Sequence, residues 1–216
     1  VLRLKTGDAV TLFNGDGAEY GAVVASVGRV AVSVKIGERR PADRESRLDI
    51  VLGQALSSGE RMDYTVQKAV ELGVAAIHPL AARRSVVHLD RERAATRVSH
   101  WQAVAIAACE QCGRNRVPPI APVANFEAWL AQHDTRQPGA LRMLLSPWAE
   151  TRLRDLPGPG RAVVLLAGPE GGFTEDEEAL ARAGGFTPVR LGPRVLRTET
   201  AAVAALAAMQ ALWGDF

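Results

Sequence analysis

Apolar and polar positions alternate over roughly the first forty residues and then give way to continuous apolar runs separated by helical stretches. Ala9-Val-Thr-Leu-Phe13, Tyr20-Gly-Ala-Val-Val-Ala-Ser-Val27 and Val30-Ala-Val-Ser-Val-Lys-Ile36 read as strands, since a period of two places every second side chain on one face. Asn14-Gly-Asp-Gly17 between the first two is a hairpin signal, because these residues accept the positive φ that tight turns need. Gly28 marks the next turn. The reading is a small β module, expected to be a barrel, followed by a polar linker from Gly37 to Ser46.

Beyond the linker the period changes. Leu48–Leu56, Val74–Leu80, Leu141–Leu145, Arg161–Ala167 and Phe186–Leu191 are short apolar runs of the kind that strands buried on both faces require. Helical patterns lie between them. One is capped by Asp63, runs to Leu72 and stops at Gly73; a second spans Arg91 to Cys112 and ends at Gly113. Thr174-Glu-Asp-Glu177 is a capping box opening a third, which stops at Gly184-Gly185. Thr198 is placed to cap a last helix through Trp213, and Pro157-Gly-Pro-Gly160 reads as a turn. Strand and helix in alternation predict an α/β fold with a parallel sheet. The expected domains are 1–47, the β module, and 48–216, the α/β domain.

Composition narrows the class. With 216 residues the chain can bury a substantial core, and 47% hydrophobic against 23% charged residues describes a globular protein. No apolar run reaches the roughly 20 residues that span a bilayer, and the start lacks the layout of a secretory signal, so the cytoplasm is the expected compartment. Cys109 and Cys112 have no second Cys or His pair to complete a zinc site. At adjacent turns of one helix face they read as free thiols, and no metal is expected. The net charge is only +2, but seven arginines against three acids fall between Arg83 and Arg116, whereas the stretch from Arg161 onward has five arginines against seven acids. A polyanion held at one face, or a solvated helix surface with paired charges, both explain that segment.

The candidate chemistry lies in two glycine-rich loops, Gly168-Pro-Glu-Gly-Gly-Phe-Thr174 and Leu191-Gly-Pro-Arg-Val-Leu-Arg-Thr-Glu-Thr-Ala201. Each follows an apolar run and leads into a helix, so both fall outside the carboxyl ends of strands, where open α/β sheets bind ligands. Neither matches a dinucleotide fingerprint or a phosphate loop. Backbone amides and carbonyls beside Leu145, Leu166, Leu191 and Leu196 suit a flat purine better than a phosphate chain.

These loops resemble the signature loops of the RsmE family, bacterial 16S ribosomal RNA uridine N3-methyltransferases of the SPOUT superfamily. Arg61-Met-Asp-Tyr-Thr-Val-Gln-Lys-Ala-Val-Glu-Leu-Gly73, Arg84-Ser-Val86, and Glu110-Gln-Cys-Gly-Arg114 followed by Val117-Pro118 agree as well, so the resemblance covers almost the whole chain. It implies a PUA-like N-terminal barrel for RNA binding and a SPOUT α/β domain with a C-terminal trefoil knot. It implies S-adenosylmethionine as cofactor, 16S rRNA or the small ribosomal subunit as partner, and a homodimer with its active site at the subunit interface. Family members carry about one more strand, often basic, before the position of Val1, so the barrel is expected to lack its first strand.

Under this reading the cofactor-binding candidates are Leu145, Leu166, Gly168, Glu170, Gly171, Gly172, Leu191, Gly192, Val195, Leu196, Arg197, Thr200 and Ala201. Methylation at uracil N3 needs alignment of the reacting atoms, removal of the N3 proton and stabilisation of charge on the ring. Arg197 is the first candidate cation, its alternative role being to tie the loop through Glu199 or Glu170. Arg114 is the second, its alternative being a phosphate or helix-end contact. Glu199 is a candidate base, with capping or pairing as its alternative, and Glu170 can hydrogen-bond the cofactor. His78 reads as structural, while His88 and His100 carry no partner pattern. RNA contacts are expected from Arg3, Lys5, Arg83, Arg84, Arg114 and Arg116. The competing classes are a non-catalytic ribosome-assembly factor with the same fold and a metabolic enzyme binding another adenine nucleotide.

Overall fold

The computed structural model describes residues 3–87, 89–133 and 139–216. The chain divides into two compact units, one made of Val1–Glu45 with Cys109–Val117 and the other of Ser46–Ala108 with Pro118–Phe216. The first unit therefore takes in a segment that a boundary at residue 47 leaves in the second.

In the first unit β1 (Ala9–Leu12), β2 (Ala18–Val27) and β3 (Val32–Pro41) form an antiparallel sheet in that order. The turn after β1 is closed by Asx contacts: Asp16 N donates to Asn14 Oδ1 at 3.1 Å and Ala18 N to Asp16 Oδ1 at 2.8 Å. β3 continues through Gly37–Pro41, so half of the expected linker is strand: Glu19 pairs with Arg40 and Tyr20 with Arg39 across the sheet. A run of charged residues conceals a strand when its side chains are solvated on both faces, as they are from Gly37 to Pro41. The returning segment is fixed by Gly17 N on Asn115 O and by Arg44 on both Glu19 and the Gly113 carbonyl.

The second unit is a parallel sheet with strand order β6-β5-β4-β8-β7-β9. Its strands are β4 (Asp49–Ala55), β5 (Ala76–Ala81), β6 (Ala124–Asn125), β7 (Leu141–Leu145), β8 (Ala162–Ala167) and β9 (Thr187–Val189). The central pair is β4 and β8, in register from Asp49 opposite Ala162 to Gln54 opposite Ala167. Ile50, Leu52, Val163, Leu165 and Leu166 are almost fully buried there, which explains why these strands read as unbroken apolar runs. Close approach sets one side chain: a Cβ at Gly53 would lie 2.7 Å from the Leu166 side chain.

Helices α1 (Arg61–Glu71), α2 (Arg91–Cys112), α3 (Phe126–His133), α4 (Glu175–Ala183) and α5 (Thr198–Trp213) complete the fold. Two capping expectations are corrected. Glu60 stands at the N-cap of α1, and Asp63 lies inside its first turn, where its carboxylate takes Trp101 Nε1 at 3.0 Å and His100 Nε2 at 2.7 Å. His100 thus has a partner after all. Arg197 is the N-cap of α5, and Thr198 is its first helical residue. The α4 capping box is present in full. Gly73 ends α1 at φ +80°, a conformation that strains any residue with a Cβ, and Gln210 Nε2 of α5 donates to the neighbouring Leu72 carbonyl at 2.7 Å.

Helix α3 and strand β6 have no counterpart in the sequence reading. Phe126, Trp129 and Leu130 are buried, and Asn125 Oδ1 caps the helix by accepting Ala128 N at 3.0 Å. Phe126 packs on Phe173, with ring centroids 4.8 Å apart. His78 Nδ1 accepts the Trp129 indole N–H at 2.7 Å, a structural role as expected. Cys109 is a buried free thiol, and burial pushes its pKa up to about 11, which removes it from thiolate chemistry at neutral pH. Among the described residues no cluster of His, Cys, Asp and Glu could hold a metal, and no helix is long and apolar enough to cross a membrane. His88 lies outside the described residues.

Candidate functional site

The carboxyl ends of β7, β8 and β9 open into a cavity of about 680 Å³. Both glycine loops wall it. From the first come Gly168, Glu170, Gly171 and Gly172; from the second come Leu191, Gly192, Val195, Leu196 and Arg197, with Glu199 and Ala201 just beyond in α5. Leu145 closes the end of β7. Two candidates fall elsewhere. Leu166 is buried in the sheet and does not line the cavity, because alternate residues of β8 face opposite sides. Thr200 lines a different cavity, since it lies one position round α5 from Glu199.

A single hydroxyl joins the loops. Thr198 Oγ1 donates to the Gly168 carbonyl at 2.5 Å and accepts from Gln54 Nε2 at 3.1 Å, so the end of β4, the first loop and the start of α5 share one buried bond path. In the first loop Gly172 takes φ +68° and its N–H closes a turn on Pro169 O at 2.9 Å. A Cβ at Gly171 would lie 3.1 Å from the Arg84 Cβ, and Arg84 Nη1 donates to the Gly171 carbonyl at 3.1 Å. At Gly192 a Cβ would meet nothing within 4 Å, so this backbone borders open space.

The acids of the site are held by a residue that the sequence reading quoted but gave no role. Glu170 Oε1 accepts from Ser58 N at 2.9 Å, Ser58 Oγ at 2.9 Å and Arg61 Nη1 at 2.7 Å. Burial alone would raise its pKa, but these donors outweigh it and hold the carboxyl at about 2. Arg61 Nε also lies 3.9 Å from Glu199 Oε1, while Glu199 Oε2 is buried without a hydrogen-bond partner. Arg197 therefore does not tie the loop: among the described residues its guanidinium makes no ion pair or hydrogen bond, and it is exposed in the cavity wall. The exposed indole of Trp148 stands at the cavity wall too, a second residue the sequence reading passed over.

The remaining candidates are distributed as follows. Arg114 belongs to the first unit, only 4% exposed, with its guanidinium on both oxygens of Glu45. That pair accounts for its charge structurally. Arg116 in the same unit is exposed and packs over the turn at Gly17, and Arg3 and Lys5 are exposed. Arg83 pairs with Asp176 at 2.7 Å and Glu127 at 3.2 Å, which leaves it largely neutralised by its surroundings. Its amide donates to Glu177 Oε1 at 2.8 Å, so the buried acid of the α4 capping box also fixes this loop.

Two loops closing one cavity at the carboxyl end of a parallel sheet define an α/β ligand-binding domain, and the comparisons say of which kind. An RNA methyltransferase domain family model matches residues 44–210, and an RNA methyltransferase PUA domain model matches residues 1–37. The chain is 34% identical to ribosomal RNA small subunit methyltransferase E of Buchnera aphidicola over 100% of its length and 84% of that protein's, and 33% identical to the Bacillus subtilis protein of that name, covering 97% and 84%. The crystal structure of ribosomal RNA small subunit methyltransferase E from Neisseria gonorrhoeae bound to S-adenosyl methionine superposes with a TM-score of 0.92 at 44% identity, over 100% of this chain and 87% of that one. A putative methyltransferase from Legionella pneumophila in complex with the same cofactor gives 0.94 at 42% identity, with the same coverage. The chain belongs to the ribosomal RNA small subunit methyltransferase E family.

Proposed function

We propose that the protein methylates N3 of a uridine in 16S rRNA of the small ribosomal subunit, with S-adenosylmethionine as methyl donor. The observation that carries this reading is the two-loop cavity joined by Thr198, in a chain that superposes at over 40% identity on two structures named as binding S-adenosylmethionine. The residues present fit that cofactor. The cavity is large enough, and Gly192 leaves open space beside the backbone. When bound, S-adenosylmethionine supplies an electrophilic methyl group. Leu145, Leu191, Val195, Leu196 and Ala201 give apolar walls, and the loop backbones at Gly168 to Gly172 give polar contacts.

Arg197 and Glu199 are the catalytic candidates carried forward. The Arg197 guanidinium, exposed at the cavity wall, can offset the charge that builds on uracil as N3 loses its proton. Glu199, held from one side by Arg61, presents its other oxygen as the acceptor of that proton. Glu170 holds the first loop to Ser58 and Arg61 and so shapes the wall.

The finer fold reading belongs to the same proposal: a PUA-like barrel over residues 1–47 and a SPOUT domain over 48–216 with a C-terminal trefoil knot. The order β8-β7-β9 supports the knot, because the chain must leave β8, pass β7 and return for α5 to pack beside it. A cytoplasmic homodimer completes the reading, and a monomeric mass at micromolar concentration would defeat that part.

Methyl transfer from labelled S-adenosylmethionine to small subunits lacking their natural modification, with mass mapping of the nucleoside, tests the activity. The expected product is 3-methyluridine. Cofactor binding with rRNA binding but no transfer favours the assembly-factor reading, and a folded protein that binds no cofactor sinks the enzyme.

A further inference from the structure

Strand β4 runs into an apolar stretch, Ile50-Val-Leu-Gly-Gln-Ala-Leu56, that holds a single polar side chain. That residue, Gln54, is fully buried near the carboxyl end of the strand and does not line the cofactor cavity. It stands opposite Ala167, the residue before the first glycine loop. Its amide nitrogen donates to the Ala55 carbonyl at 3.0 Å and to Thr198 Oγ1 at 3.1 Å. A backbone carbonyl can only accept, so the nitrogen of the amide, not its oxygen, must face that side. Thr198 Oγ1 thus accepts from Gln54 and is left to donate its own hydrogen to the Gly168 carbonyl, 2.5 Å away. The relay from Gln54 through Thr198 to Gly168 has one direction, and the Gln54 donor sets it.

Stability does not explain the choice of residue. Gln54 Oε1 is buried with no hydrogen-bond partner among the described residues. A buried amide left half satisfied costs free energy, and an apolar side chain of the same length would suit this strand better. What the amide alone supplies is a donor where the end of β4, the first glycine loop and the start of α5 come together. Ser58 and Arg61, a few residues on, hold the same two pieces through Glu170 and Glu199. Gln54 differs from them in its footing. It stands on a central strand, with β5 on one side and β8 on the other, so it is a fixed post against which both loops are set.

Resting on the function proposed above, we infer that Gln54 is a positioning residue for the cofactor: by orienting the Thr198 hydroxyl it holds the two glycine loops at the separation S-adenosylmethionine requires, without touching it. Loops already set at that separation bind more tightly, because less ordering is left to complete on binding. Without the Gln54 donor the Thr198 hydroxyl is free to rotate, and the Gly168 carbonyl loses its constant partner.

The test compares wild type with Gln54→Met, which keeps the length of the side chain and removes the donor, and with Thr198→Val and Thr198→Ser. Each is assayed for S-adenosylmethionine affinity by isothermal titration, for amide exchange of Gly168–Gly172 in the cofactor-free protein, for thermal midpoint and for affinity to 16S rRNA transcribed in vitro. Gln54→Met is expected to bind S-adenosylmethionine about tenfold more weakly, the equivalent of one buried hydrogen bond. Its first loop exchanges faster, while its midpoint moves little and its rRNA affinity is unchanged. Thr198→Val matches it, Thr198→Ser keeps the wild-type affinity, and the double variant Gln54→Met with Thr198→Val is no weaker than either single one, as one relay demands. Wild-type cofactor affinity in folded Gln54→Met reduces Gln54 to strand packing and overturns the inference, and so do additive losses in the double variant. Should Gln54→Met fail to fold, the Thr198 pair decides, and equal affinity of the Val and Ser variants overturns it. These outcomes leave the proposed activity standing, whereas a folded wild-type protein that binds no cofactor overturns that reading and this inference together.

Discussion

Arg61 shows how one side chain organises a site built from distant pieces. It sits on α1, yet it faces Glu170 of the first glycine loop and Glu199 of α5. Glu170 then has three donors on one oxygen, and its depressed pKa has a consequence for pH. A carboxylate whose folded pKa lies below its unfolded value stabilises the fold fully above the unfolded value and loses that contribution as pH falls through the folded one. Here the window runs from the ordinary 4.5 down to about 2. The difference in thermal midpoint between wild type and Glu170→Gln is therefore expected to be constant from pH 8 to about 5 and to shrink below that. At neutral pH the variant should cost about 2 kcal/mol, as for a lost charged hydrogen-bond set, measured by denaturant titration. A midpoint difference that grows on acidification would contradict the anchoring role. Glycines separate in the same way. Gly172 is required by its φ, whereas Gly192 borders open space, so Gly192→Val is expected to leave the melting temperature within a few degrees and weaken cofactor binding at least tenfold by isothermal titration.

Among elements, α4 and α3 mark the extremes of legibility. Thr174-Glu-Asp-Glu177 states its helix start in four residues, and the capping box forms with Thr174 N on Glu177 Oε2 at 2.8 Å and Glu177 N on Thr174 Oγ1 at 3.2 Å. What the motif does not state is that Glu177 is fully buried and also receives the Arg83 amide. Thr174→Ala should thus cost about 1 kcal/mol for the cap, while Glu177→Ala should cost more, because it also strands a loop amide; urea titration compares the two. An equal cost would reduce Glu177 to a cap. Helix α3 was legible in principle: Asn125 precedes Phe126, Trp129 and Leu130 at the spacing of one buried face. Only 8 residues long, it falls below the window in which helical periodicity stands out. The second half of β3, Gly37–Pro41, hid for a different reason, its charged and exposed residues looking like a polar linker.

At the scale of the molecule, local patterns determined a great deal. Strands β4 and β8 had to be buried because their apolar runs leave no polar face, and the change of period after residue 47 announced a parallel α/β sheet. The two glycine loops were visible as a cavity because each follows a strand and opens a helix. Phe126 joins that core to the first loop through Phe173, so Phe126→Ala is expected to lower global stability by about 3–5 kcal/mol and to weaken cofactor binding with it. Calorimetric unfolding with and without cofactor measures both. The sequence by itself also carried the family, since ordered motifs survive along the whole chain. Only tertiary structure could decide which charges meet. It placed Arg114 on Glu45, left Arg197 unpaired among the described residues and put Arg61 on Glu170, pairings set by strand order and by which face of each helix turns inward. It set Gln54 of β4 against Thr198 of α5, 144 residues further along the chain. Periodicity reports which residues are buried; which buried and exposed groups become neighbours is fixed by the crossing of strands far apart in the chain.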